Sequence, residues 1–191
     1  MTKKSELEIK QWLELFQEVS DFHWELNVLP IWEKYEKGEK PWQSVALFLS
    51  TYVFQTSGAS PNYAPISADM IESYKKFDIE MSQNVELEKN IWSAIEKEME
   101  RHENLNSKKH SLWPNKQSLL RRMKENKMTN IVNSMRTYLQ ESRLKEAFDF
   151  LKSIRGVGPK VASFFLRDIK EYFSIKLPKD EFRNYLQPVD I

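Results

Sequence analysis

Glycine is scarce enough in this chain to decide its fold class. Four glycines stand in 191 residues, at 38, 58, 156 and 158, where a typical composition holds about 7%. The Asn-Gly and Asp-Gly pairs that close two-residue strand hairpins do not occur. Apolar residues recur instead every three or four positions: Trp12, Leu15, Phe16, Val19 and Phe22, and later Leu144, Ala147, Phe148, Leu151 and Ile154. That is the period of a helix with one buried face. The chain is expected to be all-α.

Proline, glycine and serine clusters punctuate that pattern. A helical segment over 5–37 is expected to be interrupted at Pro30, and EKGEKPW, carrying Gly38 and Pro41, ends it. A buried helix, WQSVALFLSTYVFQ, runs into the loop TSGASPNYAPIS. Helices are expected near 66–76 and 85–102, then a loop over 103–117, then helices near 117–126, 128–140 and 143–154. No segment repeats another.

Composition narrows the chemistry. Apolar residues make up 40% of the chain, enough for a real core, and net charge is only +1, so bulk charge identifies no partner. With no cysteine, disulfides, thiolate zinc sites and cysteine-ligated iron–sulfur clusters are excluded, which fits a reducing compartment. His23, His102 and His110 lack a metal-binding spacing. No apolar run approaches the ~18 residues of a membrane span, and MTKKSELEIKQW lacks the apolar core of a signal peptide. A cytoplasmic location is expected. Charge is nevertheless uneven. Residues 101–128 hold Arg101, Lys108, Lys109, Lys116, Arg121, Arg122, Lys124 and Lys127 against Glu103 and Glu125. Such an excess suits a phosphate-facing surface, though it equally describes a solvated helix and loop.

Two of the four glycines fall one residue apart, in SIRGVGPKVASFF (153–165). An amphipathic helix precedes Gly156 and another can begin at Pro159, since proline at a first helical position has a preset φ and loses no hydrogen bond. Gly156 and Gly158 can take positive φ and admit close approach of another backbone, and Val157 stands between them. A glycine turn opening onto a helix N-terminus directs backbone N–H groups outward, a ready phosphate site that reads no base. A plain helix–helix turn is the bland alternative; it needs one glycine and seldom two.

LKSIRGVGPKVASFFLRDI, with LQPVDI near the end, resembles the helix-hairpin-helix DNA glycosylase superfamily. The resemblance implies a two-lobed helical fold, with 1–40 a helical segment of the second lobe, 41–143 a helical-bundle lobe, 144–175 the hairpin motif and 176–191 an insertion ending in Pro-Val-Asp. Members with lysine at the position of Lys160 join base excision to lyase activity at the abasic site. Lys160 would then be the nucleophile and Asp190 the carboxylate. ALFLSTYVFQTS is similar to the family's helix ending in a Leu-Ser-Gln-Gln-Thr type sequence, which places Gln55 near the lesion. Gly156, Val157, Gly158, Arg121 and Arg122 would contact DNA. No cofactor is implied beyond a monovalent cation at the hairpin. The implied partner is double-stranded DNA bearing a damaged or modified base, bound by a nucleoid-associated monomer with no membrane contact. Lys160 and Asp190 lie thirty residues apart, and KEYFSIKLPKDEFRNYL between them resembles the longer spacing of the archaeal 8-oxoguanine glycosylase branch. An oxidised purine is therefore the first expected substrate.

A lysine that attacks C1′ must do so as the amine, and both a first-turn position beside the helix dipole and burial in an aromatic pocket favour that form. A carboxylate such as Asp190 stabilises the cation that develops at C1′ and helps transfer the proton. One or two of the six tryptophans are expected to line the base pocket. Bland readings stand beside these: an exposed helix lysine for Lys160, a helix cap for Asp190, a helix-end polar residue for Gln55. A noncatalytic hairpin DNA-binding module needs the glycines but neither Lys160 nor Asp190, and a helical protein-interaction domain needs none of them. Family members continue past the aspartate with further helices, whereas this chain stops at Ile191. The chain is thus expected to bind DNA but excise slowly, and to leave an apolar face exposed on 5–37, including Trp12, Phe16 and Val19.

Overall fold

The computed structural model describes residues 3–53, Ser93, Lys97, 116–178 and 185–186. Every element among them is helical, with no strand. The expected helices near 66–76 and 85–102 lie outside the described residues, apart from Ser93 and Lys97, which are helical. The chain divides into two compact units, 1–34 and 35–191.

The described residues of the first unit, 3–34, are helical throughout. Helix α1 (Lys3–His23) passes through a π-helical turn (Trp24–Val28) into α2 (Leu29–Lys34). The break expected at Pro30 does not occur. A proline inside an α-helix lacks its N–H and collides with the carbonyl four residues back. The wider π turn just ahead of Pro30 relieves that crowding and lets the helix continue. The apolar stripe that the sequence places on this helix is open to solvent. Ile9, Trp12, Leu15, Phe16, Val19, Phe22 and Leu26 are all exposed, Trp12 at 59% and Phe16 at 65%.

The second unit holds the core. Its helices are α3 (Pro41–Phe48), continued by a π-helical turn (Leu49–Val53), α4 (Leu119–Glu125), α5 (Ile131–Gln140), α6 (Leu144–Lys152) and α7 (Pro159–Tyr172). Helix α7 packs on α5, on α6 and on the π turn after α3, while α5 also packs on α3 and α6. At the centre Phe165 meets Phe48 and Tyr52 at centroid distances of 4.7 and 5.0 Å. Val45, Leu47, Leu49, Met135, Leu151 and Leu166 are fully buried in the same unit.

One polar side chain joins distant parts of this core. Asn130 caps α5, its Oδ1 accepting from Asn133 N at 2.9 Å, and its Nδ2 donates to the carbonyls of Gly38 (2.6 Å) and Glu39 (3.1 Å). Gly38 has φ +70°, and a Cβ there would lie 2.8 Å from Val132 Cγ2. Glycine is required at that position twice over, by its backbone and by its neighbour. Helix α5 starts at Ile131 rather than near 128, because the Asn130 cap sets its first turn.

Candidate nucleic-acid interface at the hairpin

Helix α6 stops at Lys152, two residues before the expected end, and the chain turns through Ser153–Gly158 into α7. Ile154 and Val157 are buried, and Val157 N donates to Ile154 O at 3.1 Å, so the turn is anchored from inside. Gly156 has φ +82° and is exposed, the left-handed conformation that glycine adopts freely.

Gly158 departs from the expectation of positive φ. It is the N-cap of α7 with φ −86° and ψ 175°, extended backbone open to any residue. A Cβ there would find nothing within 4 Å. Among the described residues, then, the fold makes no steric demand for glycine at 158, and the space above it is open. Pro159 takes the first helical position and Lys160 the next, with the outward N–H groups of a helix N-terminus beneath them. The Val157 side chain, by contrast, is buried in the turn.

The basic segment and the hairpin form one surface. Arg155 N donates to Gln117 O at 2.8 Å, and Arg122 Nε donates to Ser153 Oγ at 2.9 Å. Arg122 also pairs with Glu125 at 2.9 Å, so it braces α4 against the hairpin as well as carrying charge there. Arg121 is half-buried beside it, while Lys116, Lys124, Lys127, Lys152 and Lys160 are exposed and Arg155 is half-buried. Lys152 and Arg155 belong to this cationic surface although the expected basic run ended at 128; their signal was their place in LKSIRGVG itself.

Lys160 is exposed, not enclosed in an aromatic pocket. Its Nζ lies 5.9 Å from the centre of the Phe164 ring, one turn along α7. Gln55 and Asp190 lie outside the described residues. The chain does return to the hairpin helices shortly before Asp190: Ser163 Oγ donates to Tyr185 O at 2.6 Å, the Tyr185 ring sits 5.3 Å from Phe148, and Leu186 is buried.

Sequence reasoning passed over one constellation on the same helix. Asp168 is buried, its side chain 3% exposed, and its Oδ2 accepts from Tyr52 OH at 2.9 Å. Its Oδ1 accepts from both Nε and Nη2 of Arg167 at 3.1 Å. The Arg167 guanidinium lies 4.9 Å from the centre of the Phe164 ring. A charged pair inside an otherwise apolar helix, LRD in VASFFLRDI, was the available signal.

Among the described residues no group of three or more His, Asp or Glu could hold a metal ion, and no helix is long and apolar enough to cross a membrane. No family model, curated protein or solved structure matches the chain.

Proposed function

We propose that this chain grips one strand of duplex DNA with its hairpin and releases a damaged or modified base through Lys160, cleaving the strand at the resulting abasic site. The observation that carries the reading is the turn itself: an exposed Gly156 at φ +82°, a Gly158 whose Cβ space is empty, and Lys160 in the first turn of α7, all beside the cations of 116–127. Backbone N–H groups at a helix N-terminus hold a phosphate without reading sequence, and the neighbouring cations add affinity.

The chemistry requires the Lys160 amine to attack C1′ of the deoxyribose. The C1′–N bond breaks and the base departs with its electron pair, taking up a proton. The nitrogen gives up one proton, the C1′–O4′ bond breaks as O4′ is protonated, and loss of the second nitrogen proton leaves a C1′ imine. Removal of a C2′ proton then expels the 3′ phosphate by β-elimination, cutting the strand. Asp190, at the family's carboxylate position, would stabilise the C1′ cation and handle the lysine proton. The base must first leave the stack, which costs a few kcal/mol and is offset by phosphate and pocket contacts. An oxidised purine is the first substrate to offer.

Borohydride reduces such an imine to a stable amine. Incubated with borohydride and a duplex carrying one abasic site, the chain should become covalently linked to DNA, and Lys160→Gln should abolish the adduct. Trapping at full yield after that substitution removes Lys160 from the role. The exposure of Lys160 favours a second reading, a noncatalytic hairpin module; salt-sensitive binding to duplex with no adduct on any abasic substrate would establish it.

A further inference from the structure

Within the glycosylase reading, on which this rests, one group has no assigned task. Arg167 sits on the Lys160 side of α7, since both cations flank the same Phe164 ring at 5.9 and 4.9 Å. Seven residues separate them, about 10.5 Å along the axis. Lys160 stands in the first turn of the helix, and Arg167 stands two turns along the same face, its side chain 37% exposed beside the buried Asp168. Phosphate-gripping groups belong at the helix N-terminus. A cation two turns away from it is placed to meet another part of the nucleotide that Lys160 would attack, and a base that has left the stack is the part with directional acceptors.

The guanidinium is fixed in orientation. Its Nε and Nη2 form one edge, and both bind Asp168 Oδ1. Asp168 is itself held from the opposite side by Tyr52 OH. This leaves the outer edge, Nη1 and the second Nη2 proton, as a rigid donor pair on the ring side. A carboxylate buried to this degree costs several kcal/mol in desolvation, which is offset only by well-formed partners. A surface arginine with no directional task needs no such support. A donor-only fork recognises carbonyl oxygens and ring-nitrogen acceptors, and it rejects exocyclic amino groups, which present N–H against N–H.

We infer that Arg167, oriented by Asp168 and Tyr52, is the base-recognising residue of the Lys160 site, and that it selects a purine presenting a carbonyl where adenine carries an amino group. The test separates base release from abasic-site chemistry. Duplexes carrying single oxidised, alkylated or deaminated bases are incubated with the parent chain, Arg167→Met, Arg167→Lys and the paired Arg167→Met/Asp168→Asn, and release of free base is timed. The same samples are trapped with borohydride on an abasic duplex, which has no base to recognise. The parent should release a carbonyl-edged purine such as 8-oxoguanine fastest. Arg167→Met and the paired variant should slow that release on the order of 10- to 100-fold while trapping on the abasic duplex stays within twofold of the parent. Arg167→Lys, which keeps charge but not the fork, should recover little. Equal loss of release and trapping marks Arg167 as structural and overturns the inference. So does unchanged release, or a parent that releases only amino-edged bases or none. A parent that fails to trap on the abasic duplex overturns the glycosylase reading itself.

Discussion

Two glycines carry opposite lessons at the scale of single residues. Gly38 is glycine because the fold leaves no choice: φ is +70° and Val132 occupies the space of a Cβ. Gly158 is glycine although the fold leaves ample room. Gly158→Val replaces a good N-cap residue by a poor one, so it should cost about 0.5–1 kcal/mol of stability, while the folded protein shows weakened duplex binding measured by fluorescence anisotropy. Unchanged affinity would show that no ligand backbone approaches there. Asn130 is the converse case, a side chain serving only stability. Asn130→Ala removes the cap of α5 and leaves the Gly38 and Glu39 carbonyls without their donor. It should cost about 1–3 kcal/mol, read as a lower urea midpoint with duplex affinity retained in the folded protein. At the surface, Arg143 hydrogen-bonds Glu146 and, by stabilising its charged form, holds that carboxyl below its usual range. A depressed carboxylate stabilises the fold above its unfolded pKa and loses that contribution as pH falls through its folded one. Glu146→Gln should thus flatten the acid side of the stability–pH curve below about pH 4.3, and a curve that superposes on the parent's removes the pair from the ledger.

Helix α1 shows how an element can satisfy its own sequence and leave its packing undecided. Its apolar stripe has the helical period, and the helix forms along it, yet Ile9, Trp12, Leu15, Phe16, Val19 and Phe22 remain exposed. An exposed stripe of this kind favours association with apolar surface. Phe16→Lys with Val19→Lys should lower the binding of a hydrophobic dye in the native state. The far-ultraviolet helical signal should hold, because lysine is a good helix former and neither side chain is buried. A large loss of helicity would mean that the stripe is packed in solution. In α7 the same period gives the reverse outcome. Phe165, Leu166 and Ile169 are fully buried, and the opposite edge of the helix carries Lys160, Phe164 and Arg167 at four- and three-residue steps.

For the whole molecule, a net charge of +1 conceals a local excess of cations over 116–127. The backbone bond from Arg155 to Gln117 and the Arg122–Ser153 bond set the basic segment beside the turn, so under the proposed function these charges would act on one ligand. If three to five phosphates are contacted, the logarithm of the binding constant should fall by about 3 to 4.5 per decade of salt, at roughly 0.9 per phosphate. Isothermal or anisotropy titrations at several salt concentrations give that slope directly. A slope near zero would leave the hairpin a plain structural turn and favour a protein-interaction role.

The all-helical class, the turn at 153–158 and its bounding helices follow from local rules: glycine scarcity, a 3.6-residue apolar period, and proline at a first helical position. Local rules also located Gly156 in its left-handed turn. They failed at Pro30, because a π turn absorbs a proline that an α-helix rejects, and at Gly158, where the helix N-cap is extended. The juxtaposition of 116–127 with the hairpin depends on Gln117 and Ser153, whose side chains and sequence spacing announce nothing. The Tyr52–Asp168–Arg167 cluster joins residues over a hundred positions apart. Periodicity is a property of neighbours along the chain and can be read from letters alone. Which helix meets which, and therefore whether Arg167 is a solvated charge or an oriented fork beside Lys160, is set by packing between elements, and that only the tertiary structure decides.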